Sequence, residues 1–244
     1  LPLGFVGIYT IAAFIPTVIE TPLTALDRIV AAKVAHAAAN NETEDIRNVF
    51  YKSVRYMGVV GGLLFVLINC NIGYLLDIIG KSFVDGKEVV WIISIGALAN
   101  MFGGSSNSII VYTSKYWQAA VLLVTLVILT FILNMIFIPL YGINGAAMST
   151  AISAILFTCI KGILIYRRLG FQPYNMGTVK TLIVILVLSI IGVLLPDTFS
   201  PYLSIFYKGA VLGLLYIGVM YFLNVVPELY QDLFARVDSF LNRK

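Results

Sequence analysis

Ile138-Pro139-Leu140-Tyr141-Gly142-Ile143-Asn144-Gly145-Ala146-Ala147-Met148-Ser149-Thr150 lies between two long apolar runs, and its reading decides the fold. A helix-stopping proline, two glycines and a ladder of small residues let one apolar helix end and the chain reverse. The next helix can then pack closely on its neighbours.

The runs on either side belong to a chain of 244 residues that is 60% hydrophobic and only 11% charged, with a mean hydropathy of +0.96. No ordinary soluble core needs that composition. A window of about 19 residues gives seven candidate spans: Leu3 to Leu26, Tyr56 to Ile79, Val89 to Tyr112, Gln118 to Ile138, Ile143 to Ile165, Val179 to Leu195 and Leu203 to Val226. Each is long enough to cross a hydrocarbon layer of ~30 Å as an α-helix. The runs are continuously apolar, whereas barrel strands alternate with period two. The expected fold is therefore all-α, a polytopic membrane helix bundle over residues 1–226 followed by an amphipathic tail helix over 227–244.

Basic residues report topology. All but Lys81, Lys87 and Lys208 of the 16 lysines and arginines fall on one side of the spans. Positive residues in short loops favour the cytoplasm, which places the C-terminus there and, with seven spans, Leu1 outside. A chain starting outside without an initiator methionine, a basic flank or a cleavable signal is expected to be the C-terminal part of a longer protein. The net charge of +4 does not indicate a nucleic-acid partner, because the basic residues flank spans instead of forming one solvated face.

Local features refine this picture. Pro16 and Pro22 in the first span predict a kink or a locally opened helix. Residues 29–39 are alanine-rich and extend that helix into the cytoplasm, and Asn41-x-x-Glu44 reads as a capping box for the next one. That helix begins amphipathic, with Ile46, Val49, Phe50 and Val54 on one stripe, and is expected to lie at the membrane interface first. Gly103-Gly104-Ser105-Ser106-Asn107-Ser108 forms helix weakly at a depth where backbone groups cannot be left unpaired. It either packs tightly on another helix or lines a watery cavity.

Glu20 is the sharpest candidate residue, at ~12 Å depth below the basic flank. Intramembrane acids mark cavities, ion pathways or paired partners, so Glu20 is either an ion-coupling group or a structural hydrogen-bond partner of a neighbouring helix. Lys161 either snorkels to the interface or, with Arg167 or Arg168, faces a cavity and holds a phosphate or pyrophosphate. Lys208 is placed as a second cavity cation or a snorkelling residue. Asp27 and Asp77 read as interfacial. Asn69, Asn71, Asn100, Asn107 and Asn134 are intramembrane amides expected to hydrogen-bond between helices. One histidine, His36, and two cysteines, Cys70 and Cys159, offer neither a zinc site nor a redox pair. No P-loop or nucleophile elbow is present, so no catalytic residue, metal or cofactor is expected.

With these motifs in place, the chain resembles the C-terminal part of bacterial polysaccharide flippases. These are the O-antigen or Wzx-type exporters of the multidrug/oligosaccharidyl-lipid/polysaccharide superfamily. The likeness is carried by residues 6–12, by residues 29–39 and, most strongly, by Leu133-Asn134 through Ile138-Pro139-Leu140-Tyr141-Gly142-Ile143-Asn144-Gly145-Ala146-Ala147. It implies spans eight to fourteen of a fourteen-span, MATE-like transporter in the bacterial cytoplasmic membrane. Such a protein exports a polyprenyl-diphosphate-linked oligosaccharide by alternating access for cell-surface polysaccharide or lipopolysaccharide synthesis.

On that reading Lys161, Arg167 and Lys208 attract the diphosphate, Asn100 and Asn107 contact sugar, and Glu20 couples the cycle to an ion gradient. Membrane lipid, a polysaccharide polymerase and glycosyltransferases of the same pathway are the implied partners. The nearest alternative is a drug/cation antiporter of the same superfamily, with acidic and aromatic cavity residues. A membrane-embedded polymerase or acyltransferase would need larger outer loops than residues 80–88, 139–142 and 196–201 supply. A pure scaffold subunit stays open.

Overall fold

Prolines and glycines set the breaks between helices in the computed structural model, which describes residues 3–113, 116–196 and 200–225. The elements run α1 (Leu3–Phe14), α2 (Thr17–Ala39), α3 (Thr43–Ile79), a short 3-10 helix (Lys81–Gly86), α4 (Lys87–Gly103), α5 (Ser106–Thr113), α6 (Tyr116–Leu169), α7 (Met176–Leu194) and α8 (Pro201–Phe222). Among the described residues there is no strand. Four helices are long and apolar enough to cross a membrane. The number becomes six if each of two bent pairs is taken as one span. The tail over 227–244 lies outside the described residues.

The junction from Pro139 to Gly145 is a reversal. Gly142 has φ 59° and ψ −127° inside α6, a backbone region that side chains other than glycine's rarely enter. Two arms, 116–141 and 143–169, meet there. Ser149 hydrogen-bonds Asn134 across the turn, whereas residues that far apart on one straight helix would be separated by ~22 Å. A Cβ on Gly145 would run into the Phe137 carbonyl, so the small residue is needed where the arms cross. Asn144 Nδ2 donates to Glu88 Oε2 at 2.6 Å, tying the hairpin tip to the start of α4.

Of the two prolines in the first span, Pro16 makes the break. α1 and α2 bend by 46° around it, while Pro22 sits inside continuous α2. The Gly103–Ser105 break bends α4 against α5 by 51°. Gly104 takes φ +50° directly against Ser53 and Val54 of α3, and Ser105 donates through both its N–H (3.1 Å) and its hydroxyl (2.7 Å) to Ser53 Oγ. This stretch packs, and only Asn107 beyond it reaches open space.

Two local expectations are corrected. Asn41 does not cap α3, whose N-cap is Glu42 with no side-chain cap bond. Asn41 instead adopts φ 58° and closes α2, with Glu42 N–H on the Ala37 carbonyl at 2.8 Å and Asn41 N–H on that of Ala38 at 3.3 Å. That pair of bonds is a Schellman close, in which asparagine tolerates the left-handed residue. The second is the amphipathic start of α3, whose apolar stripe is covered by protein. Ile46, Val49, Phe50 and Val54 are buried against Val30 and Val34 of α2, Ile109 and Ile110 of α5, and Ile165. The stripe has a protein partner, so α3 runs on as one helix of ~55 Å.

Three packed layers stack along α3. The cluster just described gathers the basic end. A middle layer joins Ile19 and Leu23, Phe65 and Val66, Met101 and Phe102, Ile185 and Leu188, and Leu212 and Tyr216. The third packs Ala12, Ile72, Leu76, Val89, Val90 and Ala147. Gly61 and Gly62 of α3 bring Met101, Ile185 and Tyr216 so close that a Cβ would collide. Small residues substitute here for the hydrophobic drive that lipid removes.

Candidate functional site

α2 presents Glu20, Leu23, Thr24 and Asp27 along one face, because positions about three or four apart stack on a helix. Opposite them stand Asn100 of α4, Asn107 of α5, Leu126 and Thr130 of the first α6 arm, and Thr150, Ser153, Phe157 and Lys161 of the second. Together they enclose a cavity of about 370 Å³. It forms where the α6 arms part below their tight tip, and where Gly96 lets the second arm approach α4 at Ala151.

The polar groups are connected in short chains. Thr158 Oγ1 donates to Asn100 Oδ1 at 2.9 Å, and Asn100 Nδ2 donates to Glu20 Oε1 at 2.8 Å. Three helices are thereby joined through one amide that uses both its ends. Ser108 donates to Asp27 Oδ1 at 3.2 Å. Lys161 Nζ donates to Asn107 Oδ1 at 3.2 Å and lies 4.8 Å from the centre of the Phe157 ring. Asp27 and, more weakly, Glu20 act on it electrostatically.

Lys161 is only 5% exposed. A cation so buried is costly unless it is paired and hydrogen-bonded, and amide, ring face and carboxylate field supply that. It therefore does not snorkel outward. The arrangement offers an ammonium for an anion, carboxylates that bind a proton or cation, and amides and hydroxyls matched to polyol hydroxyls.

The structure brings Glu20, Asn100, Asn107 and Lys161 to this one cavity. It does not bring Arg167 or Lys208 there. Arg167 is exposed at the end of α6, so the expected fork with Lys161 is not formed: Lys161 turns inward while Arg167 faces outward. Lys208 is buried on α8 with its ammonium 5.4 Å from the centre of the Tyr74 ring of α3.

The expected interhelical role of the asparagines holds for Asn100, which joins α2, α4 and α6, and for Asn107 of α5, which accepts from Lys161 of α6. Asn69 and Asn71 donate to the Phe65 and Leu67 carbonyls of their own helix. Asn134 bridges the two arms of α6.

Asp27, Ser108 and Thr158 were not singled out from the sequence as site residues. Asp27 follows Glu20 by two helical turns on the same face, which is a legible signal once α2 is known to continue past Arg28. Ser108 and Thr158 carried none, since a buried hydroxyl declares its partner only in three dimensions. Compared with family models, curated proteins and solved structures, the chain matches none.

Proposed function

We propose that this chain is part of an alternating-access exporter that moves a polyprenyl-diphosphate-linked oligosaccharide across the bacterial cytoplasmic membrane. The single observation that carries the reading is the cavity in which Lys161, Asn100 and Asn107 converge with Glu20 and Asp27 among apolar helices. Its one ammonium suits a phosphoryl oxygen, and its amides and hydroxyls suit sugar. Two carboxylates whose proton or cation occupancy differs between two states shift the populations of those states. The four long apolar helices and two bent pairs are compatible with seven crossings if the two arms of α6 cross separately, and this reading takes the basic end as cytoplasmic. On this reading the chain is a carrier and performs no bond chemistry.

A second reading is favoured by one specific feature: the two carboxylates outnumber the single cation, and Phe157 flanks them, as a drug/cation antiporter would require. Editing Lys161→Met into the chromosomal gene separates the two. The flippase reading expects roughly a tenfold fall in surface polysaccharide, equivalent to ~1.4 kcal/mol, with lipid-linked oligosaccharide accumulating. Unchanged polysaccharide together with altered resistance to cationic drugs overturns it in favour of the antiporter.

A further inference from the structure

The hairpin of α6 borders a second cleft, sharing no residue with the polar cavity. At the basic end of the bundle, Trp117, Gln118 and Val121 of the first arm face Leu164 and Arg168 of the second, with Thr113 of α5 between them, around about 490 Å³. Leu122 and Ile165 form its depth and are 8% and 2% exposed. The rim residues Trp117, Gln118 and Arg168 are exposed. An apolar floor with a guanidinium, an indole and an amide at its lip is the profile of an amphiphile's site.

The surroundings narrow the occupant. Leu123, Val127 and Phe131 expose a continuous apolar face on the first arm, which hydrocarbon covers at low cost in a membrane protein. The cleft therefore opens sideways toward acyl chains. Its rim lies at the end where Arg28, Lys33, Arg47 and Arg55 flank one packed cluster, so the local field favours an anionic headgroup. Tryptophan prefers headgroup level, and arginine matches a phosphate with two parallel donors. Arg168 already engages another group of the protein, and a guanidinium has donors enough to hold that partner and a phosphate together.

We propose that this cleft binds an anionic phospholipid of the leaflet at the basic end, with its phosphodiester on Arg168 and one acyl chain between the arms of α6. The lipid then props apart the two arms that also wall the polar cavity. The proposal does not depend on what that cavity carries.

The test is native mass spectrometry of the purified full chain in mild detergent, titrated with phosphatidylglycerol or phosphatidylcholine. Phosphatidylglycerol is expected to bind at least tenfold more tightly than phosphatidylcholine. Arg168→Gln should remove that preference, and Leu164→Trp, which fills the cleft, should weaken both lipids. Val121→Phe does the same from the opposite arm if Leu164→Trp fails to fold. Inorganic phosphate in excess should not displace the lipid. Unchanged phosphatidylglycerol binding in Arg168→Gln, equal affinity for the two lipids, or displacement by inorganic phosphate each overturns the proposal, the last in favour of a free-anion site.

Discussion

Among the described residues two lysines are buried, Lys161 and Lys208, and their surroundings differ. Lys208 on α8 is 4% exposed and sits over the Tyr74 ring where α8 meets α3. Lys161 is 5% exposed and sits over the Phe157 ring, but it shares a cavity with two carboxylates and two amides. Burial and an aromatic face are thus common to both. Lys161 adds to these a polar-lined open volume shared with Glu20 and Asp27, whose field reaches it. The layer between α3, α7 and α8 is apolar: Phe65, Ile185, Leu188 and Leu212 belong to it, and its Tyr216 hydroxyl donates to the Val59 carbonyl at 2.9 Å. A groove of about 560 Å³ beside Phe65 and Ile185 is lined almost wholly by apolar residues, so the two sides of α3 differ in polarity and not in room.

The sharpest way to break this contrast is at the wall shared by both sides. Gly104→Val places a β-branched residue at φ +50° against the backbone of Val54, so it is expected to cost about 3 kcal/mol or more. Chemical unfolding of the purified protein in detergent measures it, and a loss under about 1 kcal/mol would contradict the tight packing of the α4–α5 break.

Next in size is the lysine pair itself. On the proposed exporter reading, Lys161→Met should lower transport by about tenfold, ~1.4 kcal/mol, whereas Lys208→Met should leave it within about twofold; equal losses would erase the distinction. Tyr216→Phe removes the hydrogen bond to the Val59 carbonyl on the apolar side. It should cost ~1 kcal/mol of stability with transport unchanged. The smallest effect is at the α2 close. Asn41→Gly should be neutral or stabilising by a few tenths of a kcal/mol, because glycine is the preferred residue there. Asn41→Ala separates the two roles further: an N-cap asparagine would cost α3 about 1 kcal/mol in addition to the strain at φ 58°.

Much of this was legible in the sequence, for identifiable reasons. The apolar runs announced long helices, Pro139 through Gly145 announced the reversal, and Glu20 stood out because acids are rare at that depth. Asn41 was misread because asparagine serves both ends of helices, and the choice depends on a backbone angle that spacing does not encode. The stripe from Ile46 to Val54 looked interfacial because periodicity shows that a face is apolar without showing what covers it. Arg167 was paired with Lys161 by proximity along the chain, but residues six apart on a helix point in different directions. The link from Thr158 through Asn100 to Glu20 spans three helices and exists only once they pack.

The central claim is that a water-accessible polar cavity lies between α2, α4 and α6 within an otherwise apolar bundle. Its most direct test is reaction of a charged, water-soluble thiol reagent with single cysteines in a background carrying Cys70→Ala and Cys159→Ala. Thr130→Cys, on the cavity wall, is expected to react. Ser94→Cys, fully buried on α4, is expected to stay unmodified. A Thr130→Cys protein as inert as Ser94→Cys would contradict the account.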